Sequence, residues 1–145
     1  MLFKASCTIL SKSRLEALRE NLTSPRPNWF AANAVLQAEM EFPGDGYYCG
    51  LALLWLQDKQ QVNLMHSDYD DLARKFGTGR TCVILTNSLR ERYYDRIVPE
   101  QSSREELAAY AGDDAGADGL RQAAQWLKDC LGKAVGDQAA VVLIG

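Results

Sequence analysis

Two residues come first among those able to do chemistry. Cys49 sits in an aromatic and apolar run, and His66 is the only histidine in 145 residues. A cysteine attacks as its thiolate, and a neighbouring imidazole is the usual means of generating one. The other cysteines, Cys7, Cys82 and Cys130, are scattered with no short pair spacing, so neither a zinc ribbon nor a redox pair is indicated. In a reducing compartment each reads as a small buried hydrophobe. One histidine cannot build a His-rich metal site. The acidic cluster Asp68, Asp70 and Asp71 lacks the calcium-loop acid eleven positions after Asp68, where Gly79 stands. No metal and no cofactor is therefore expected.

Gly77, Thr78, Gly79 and Arg80 form a glycine-rich turn carrying a cation. A second group mixes aromatic and basic residues: Arg90, Arg92, Tyr93, Tyr94 and Arg96. Tyrosine and arginine are enriched at interface hot spots, so this group reads as a partner-binding surface. Asp68, Asp70 and Asp71 join it as acidic candidates for the same role.

Two stretches resemble known families. Tyr48-Cys49-Gly50-Leu51-Ala52-Leu53 resembles the segment around the nucleophile of papain-like cysteine proteases, where the cysteine opens a helix. That resemblance implies Cys49 as nucleophile and His66 as its base, although the family's histidine motif is missing. Arg74 with Gly77 and Gly79 is similar to the acetyl-coenzyme A loop of the common acetyltransferase fold. Such a loop must follow a strand and open a helix, so that backbone N–H groups meet the pyrophosphate. Here the predicted order is the reverse.

The elements that would position these residues follow from periodicity. Phe3 to Leu10 alternates as a strand, and Leu15, Leu18 and Leu22 mark a helix after it. Leu36 to Phe42 alternates again. Pro43-Gly44-Asp45-Gly46 is a turn, and Tyr47 to Gln57 reads as a nearly continuous apolar strand. Val62 to His66 completes an antiparallel three-stranded meander. In that register His66 faces Leu53, about 13 Å along the strand from Cys49, too far for proton transfer. Ser67 caps a helix that carries the three aspartates in its first turn. Thr81 to Thr86 is a short strand, Ser103 and Glu106 open a short helix, and Gly112 to Gly119 reads as a connector. A helix runs from Leu120, and Ala139 to Ile144 ends the chain as a strand beside the first one.

Composition bounds the rest. Hydrophobic residues make up 47% and charged residues 24% of the chain, ordinary values for a folded domain. The length fits a single α+β domain over residues 1–145, mainly antiparallel, with a central three-stranded meander and helices packed on it. The net charge of -3 and the lack of a basic run disfavour nucleic acid and slightly favour a basic protein partner. Met1 to Leu10 does not read as an export signal, and no apolar run spans a bilayer, so a cytoplasmic location and no membrane association are expected. The favoured function is protein binding by surface complementarity, as in toxin-neutralising immunity proteins or chaperone-like inhibitors. The alternative is a small enzyme: a cysteine hydrolase at Cys49, or an acyl-coenzyme A-dependent transferase at the Gly77–Arg80 turn.

Overall fold

The computed structural model of the protein describes residues 3–145. Met1 and Leu2, the start of the segment read for an export signal, lie outside them. The organising element is the C-terminal strand β4 (Gln138–Ile144). β1 (Ala5–Ser11) pairs antiparallel with it along its whole length, from Ala5 opposite Ile144 to Ser11 opposite Gln138. β3 (Thr81–Leu85) pairs antiparallel with its other edge. A two-residue strand β2 (Met40–Glu41) adds to the outside of β1. The order is therefore β2-β1-β4-β3, and β1 and β3 run parallel to each other on either side of β4. The predicted pairing of the first and last strands is present, and the α+β, antiparallel class holds.

Side chains of a strand alternate between faces, and both faces here are apolar. Ala5, Cys7, Val83, Leu85, Ala140, Val142 and Ile144 point into one core. Leu10, Ile84, Ala139 and Val141 point into the other. A sheet buried on both sides needs helices on both sides. On the second face lie α1 (Lys12–Thr23), α2 (Trp29–Val35) and α4 (Asp70–Phe76). On the first lie α3 (Tyr47–Gln60), α5 (Asn87–Tyr93), α6 (Arg104–Ala111) and α7 (Asp114–Gly132). Local capping sets several helix starts. Ser11, Thr86, Ser103 and Asp113 each accept the backbone N–H three residues on, which satisfies a donor the helix itself leaves free.

The three-stranded meander is not formed. Tyr47–Gln60 is a helix; Val62–His66 has no strand partner, and only Met40–Glu41 of the first proposed strand joins the sheet. The run from Tyr47 to Leu56 is apolar on every side, which removes the period that separates helix from strand. Its length decides instead: fourteen helical residues exceed the usual four to eight of a buried strand. Asp45 accepts the Tyr47 N–H at its start. Gln61, in the left-handed region at φ 52°, returns an N–H to Leu56 at its end.

Two further boundaries move. The Gly112–Gly119 connector is mostly helix, because α7 begins at Asp114. Its glycines serve close packing: a Cβ on Gly119 would stand 2.6 Å from the Tyr48 ring of α3, and one on Gly116 2.6 Å from the Cβ of Ala111. The helix predicted from Ser67 starts at Asp70, so Asp68 precedes it.

Candidate functional site

The thiol and imidazole end up in different environments. Cys49 is fully buried on the inner face of α3, in the core shared with α7 and β1. Burial, and then the Asp45 carboxylate, push its thiol up to about 12, so at neutral pH it stays protonated. Its neighbours include other sulfurs. The Cys130 thiol is also pushed up, by its hydrogen bond with Cys7, by burial and by the nearby Cys49. His66 is exposed on the loop before α4, with Nδ1 3.1 Å from Asp70 Oδ2. It faces a carboxylate and not a thiol. The constellation that the protease resemblance implied is thus not assembled.

The Gly77–Arg80 turn links the end of α4 to the start of β3. Arg80 donates from Nε to the Phe76 carbonyl at 2.8 Å, and Gly79 supplies the left-handed residue at φ +76°. No helix begins there, so no row of free N–H groups is offered to a pyrophosphate.

Asp70 and Asp71 are engaged inside the chain by their carboxylates, and Asp68 only by its backbone carbonyl. Asp70 accepts the Ser67 N–H at 2.8 Å, and that bond with His66 beyond it holds its carboxyl below the usual range. Asp71 meets Arg19 of α1 at 3.0 Å. Arg19 also donates to the Asp68 carbonyl at 2.7 Å and lies 4.6 Å from the Tyr69 ring centroid. The Tyr69 hydroxyl donates to Glu16 at 3.2 Å, beside an open cleft of about 260 Å³ between α1, Tyr69 and the start of β4. Burial, and then Glu16, raise the Tyr69 phenol above its ordinary value. Arg19 thus joins Glu16 and Tyr69 to Asp71 and the Asp68 carbonyl, and these contacts clamp α1 to α4. Among the described residues no three His, Cys, Asp or Glu side chains are grouped to hold a metal ion.

The aromatic-basic group divides. Tyr93 is buried, while Arg92 and Arg96 are exposed with guanidinium carbons 5.0 and 5.4 Å from its ring centroid. Arg90 is half-buried. Tyr94 packs on Gly132 beneath the Lys128 ammonium. The arginines are thus the presented groups, and the tyrosines support them. Arg96 also donates to the Gln60 and Gln61 carbonyls, at 3.4 and 3.0 Å. A cation there meets the carbonyls and the negative dipole end that a helix leaves at its C-terminus. This places Arg96 at the end of α3, with Arg92 sharing the Tyr93 ring.

The outer side of α3 is the feature that strand reasoning concealed. Cys49, Ala52, Leu53, Trp55 and Leu56 are buried. Tyr47 and Leu54, seven residues apart on the opposite side, are each 50% exposed. Gly50 and Leu51 lie between them, in the helical i, i+3, i+4, i+7 relation. This stripe, with Leu53, Met65 and Thr81, lines an apolar groove of about 380 Å³. A Cβ on Gly50 would meet nothing within 4 Å, so it is the glycine that keeps the groove open. A helix-interior glycine costs about 1 kcal/mol relative to alanine, and no contact within the chain requires one here. The signal was present in the sequence: an uninterrupted apolar run, Tyr47 to Leu56, at the upper limit of ordinary strand length.

No protein-family model, no curated protein and no solved structure matches this chain. No helix of the described residues is long and apolar enough to cross a membrane.

Proposed function

We propose that this chain is a small protein-binding domain whose contact surface is the outer groove of α3, extended by Arg92 and Arg96. The observation that carries the reading is the solvent-facing stripe of Tyr47, Gly50, Leu51 and Leu54, held open by a glycine that nothing inside the chain demands. Contiguous exposed apolar surface on a folded domain marks an interaction site more often than scattered single residues do. The exposed guanidinium groups at the end of the helix suit carboxylates on the partner, since Arg pairs with them bidentately. The partner is thus a protein presenting an apolar segment flanked by acidic residues. The acidic net charge favoured a basic partner, whereas the exposed cations toward the C-terminal end of α3 have the opposite sign. Blocking a partner by such a face, as an immunity-type or chaperone-like inhibitor does, requires no catalytic group from this chain.

The test is capture of partners by the tagged protein at physiological salt, run in parallel with Leu54→Asp and Gly50→Leu. A protein retained in stoichiometric amount by the wild type and lost from both variants, with circular dichroism unchanged, supports the reading. A partner held equally by all three proteins places binding elsewhere and overturns it.

A further inference from the structure

At one end of the sheet the chain divides. β1 and β3 run parallel to each other, and both end beside the start of β4. The helix that follows β1, α1, packs on the second face, and the helix that follows β3, α5, packs on the first. Where the connections from two parallel strands leave on opposite faces, a crevice opens beyond their carboxyl ends, and small molecules bind in such crevices. The open cleft of about 260 Å³ lies in that position. It is lined by Lys12, the first residue after β1, by residues 86–88, which follow β3, and by residues 136–139, where the chain enters β4. Two bonds brace it. The Lys12 N–H donates to the Asp137 carbonyl at 2.7 Å, and the Gly136 N–H donates to Asn87 Oδ1 at 3.3 Å.

We propose that this cleft binds a small zwitterion, a free amino acid, with its carboxylate on Lys12 and its ammonium against Glu16 and Asp68. The charges of the lining carry the argument. Lys12 and Arg19 stand there with Glu16, Asp68 and Asp137. A simple anion meets three carboxylates in such a cleft, and a simple cation meets two cationic groups. A ligand bearing both signs finds an opposite charge for each. Lys12 and Glu16 are four residues apart on α1, close enough to pair with each other. Glu16 turns instead to Arg19 at 3.3 Å and to the Tyr69 hydroxyl at 3.2 Å. Among the described residues the Lys12 ammonium is therefore left without a carboxylate partner. The same two contacts hold Glu16 in place, and a carboxylate with about four acceptor sites keeps capacity for a ligand ammonium. Leu15, Tyr69 and Ala139 add buried apolar surface to the lining. The size agrees: a cavity of about 150 Å³ holds benzene, so this cleft has room for a somewhat larger molecule. None of these residues lines the α3 groove, which meets β3 at its other end, Thr81. The inference stands independently of the partner-binding reading.

Amide chemical shifts of the labelled protein, titrated at constant pH with each standard amino acid in turn, test it. Acetate and methylammonium serve as single-charge probes. At least one amino acid shifts the amides of Lys12, Ser88 and Gln138 and saturates by about 10 mM, as a Kd of about 1 mM or below requires. Acetate and methylammonium bind about tenfold more weakly or worse. Lys12→Ala and Asp68→Asn change exposed side chains, and each weakens the amino acid about tenfold with thermal unfolding unchanged. The absence of a saturable shift with every amino acid overturns the proposal. So does a single-charge probe that binds as tightly as the amino acid, which makes the cleft a site for one sign of charge. An affinity unchanged in either variant also overturns it, because the ligand's charges then lie elsewhere.

Discussion

At the scale of single residues, burial separates candidate chemistry from structure. Cys49 was legible as a buried cysteine, and its thiol at about 12 is the result of that burial. His66 was read as a strand-end residue but lies on a loop, and its partner was hidden because a side chain four positions on binds it only once the helix has started at Asp70. That aspartate carries a measurable consequence. The Ser67 N–H and His66 lower its pKa in the folded protein. A depressed carboxylate contributes stability above its unfolded pKa of about 3.9, and the contribution fades as pH falls through the lower folded value. Its side chain is about one-third exposed, so screening keeps the effect below about 1 kcal/mol. Asp70→Asn is expected to lower the urea midpoint at pH 7, with the gap to wild type closing below about pH 4. A gap that stays constant from pH 7 to pH 3 would show that the charge on Asp70 contributes nothing.

At the scale of elements, alternation marked β1 but misread Leu36–Phe42, of which only Met40–Glu41 is strand. Of the runs apolar on both faces, the short β3 and β4 were read correctly while α3 was not. α1 announced itself through Leu15, Leu18 and Leu22, which are its buried residues. β1 alternated and is a strand. α3 is apolar around its circumference, since it packs inward on α7 and keeps a groove outward, and so its period disappeared. The first turns of α7 were obscured by glycines whose purpose appears only when Tyr48 is placed against them. The two helix-interior glycines therefore differ in kind. Gly119→Ala drives a Cβ to within 2.6–2.9 Å of the Tyr48 ring, and overpacking of that order costs about 1–3 kcal/mol. Gly50→Ala meets open space and gains about 1 kcal/mol of helix propensity. Thermal unfolding should fall for Gly119→Ala and rise by about 2–4 °C for Gly50→Ala. If both changes destabilise, Gly50 has a role within the chain, and the argument that it keeps the groove open for a partner fails.

At the scale of the whole molecule, the sheet ties the two cores together through its last strand. The β1–β4 pairing was legible because an apolar C-terminal run needs a buried neighbour. The β3–β4 pairing was not, because nothing local specifies which edge a five-residue strand takes. β4 has partners on both edges and cores on both faces, with Ala139 to Val142 at most 4% exposed. β2, in contrast, adds two residues to an edge, and both remain at least partly exposed. Amide exchange reports the free energy needed to open each hydrogen bond, from near zero at frayed edges to the global value in a core. The amides of Ala140 to Leu143 should therefore exchange only through global unfolding, with a denaturant dependence matching that of the whole protein. Those of Met40 and Glu41 should exchange by local opening, with almost no dependence. The outcome discriminates between two architectures. If β4 and both helix layers share one exchange free energy, the two cores unfold as a unit, and a change on the α1–α2–α4 side lowers the stability of the α3 groove with it. If the α1–α2–α4 layer exchanges earlier while β4 and α7 stay protected, that layer is a separable unit, and a change that loosens it leaves the α3 groove intact.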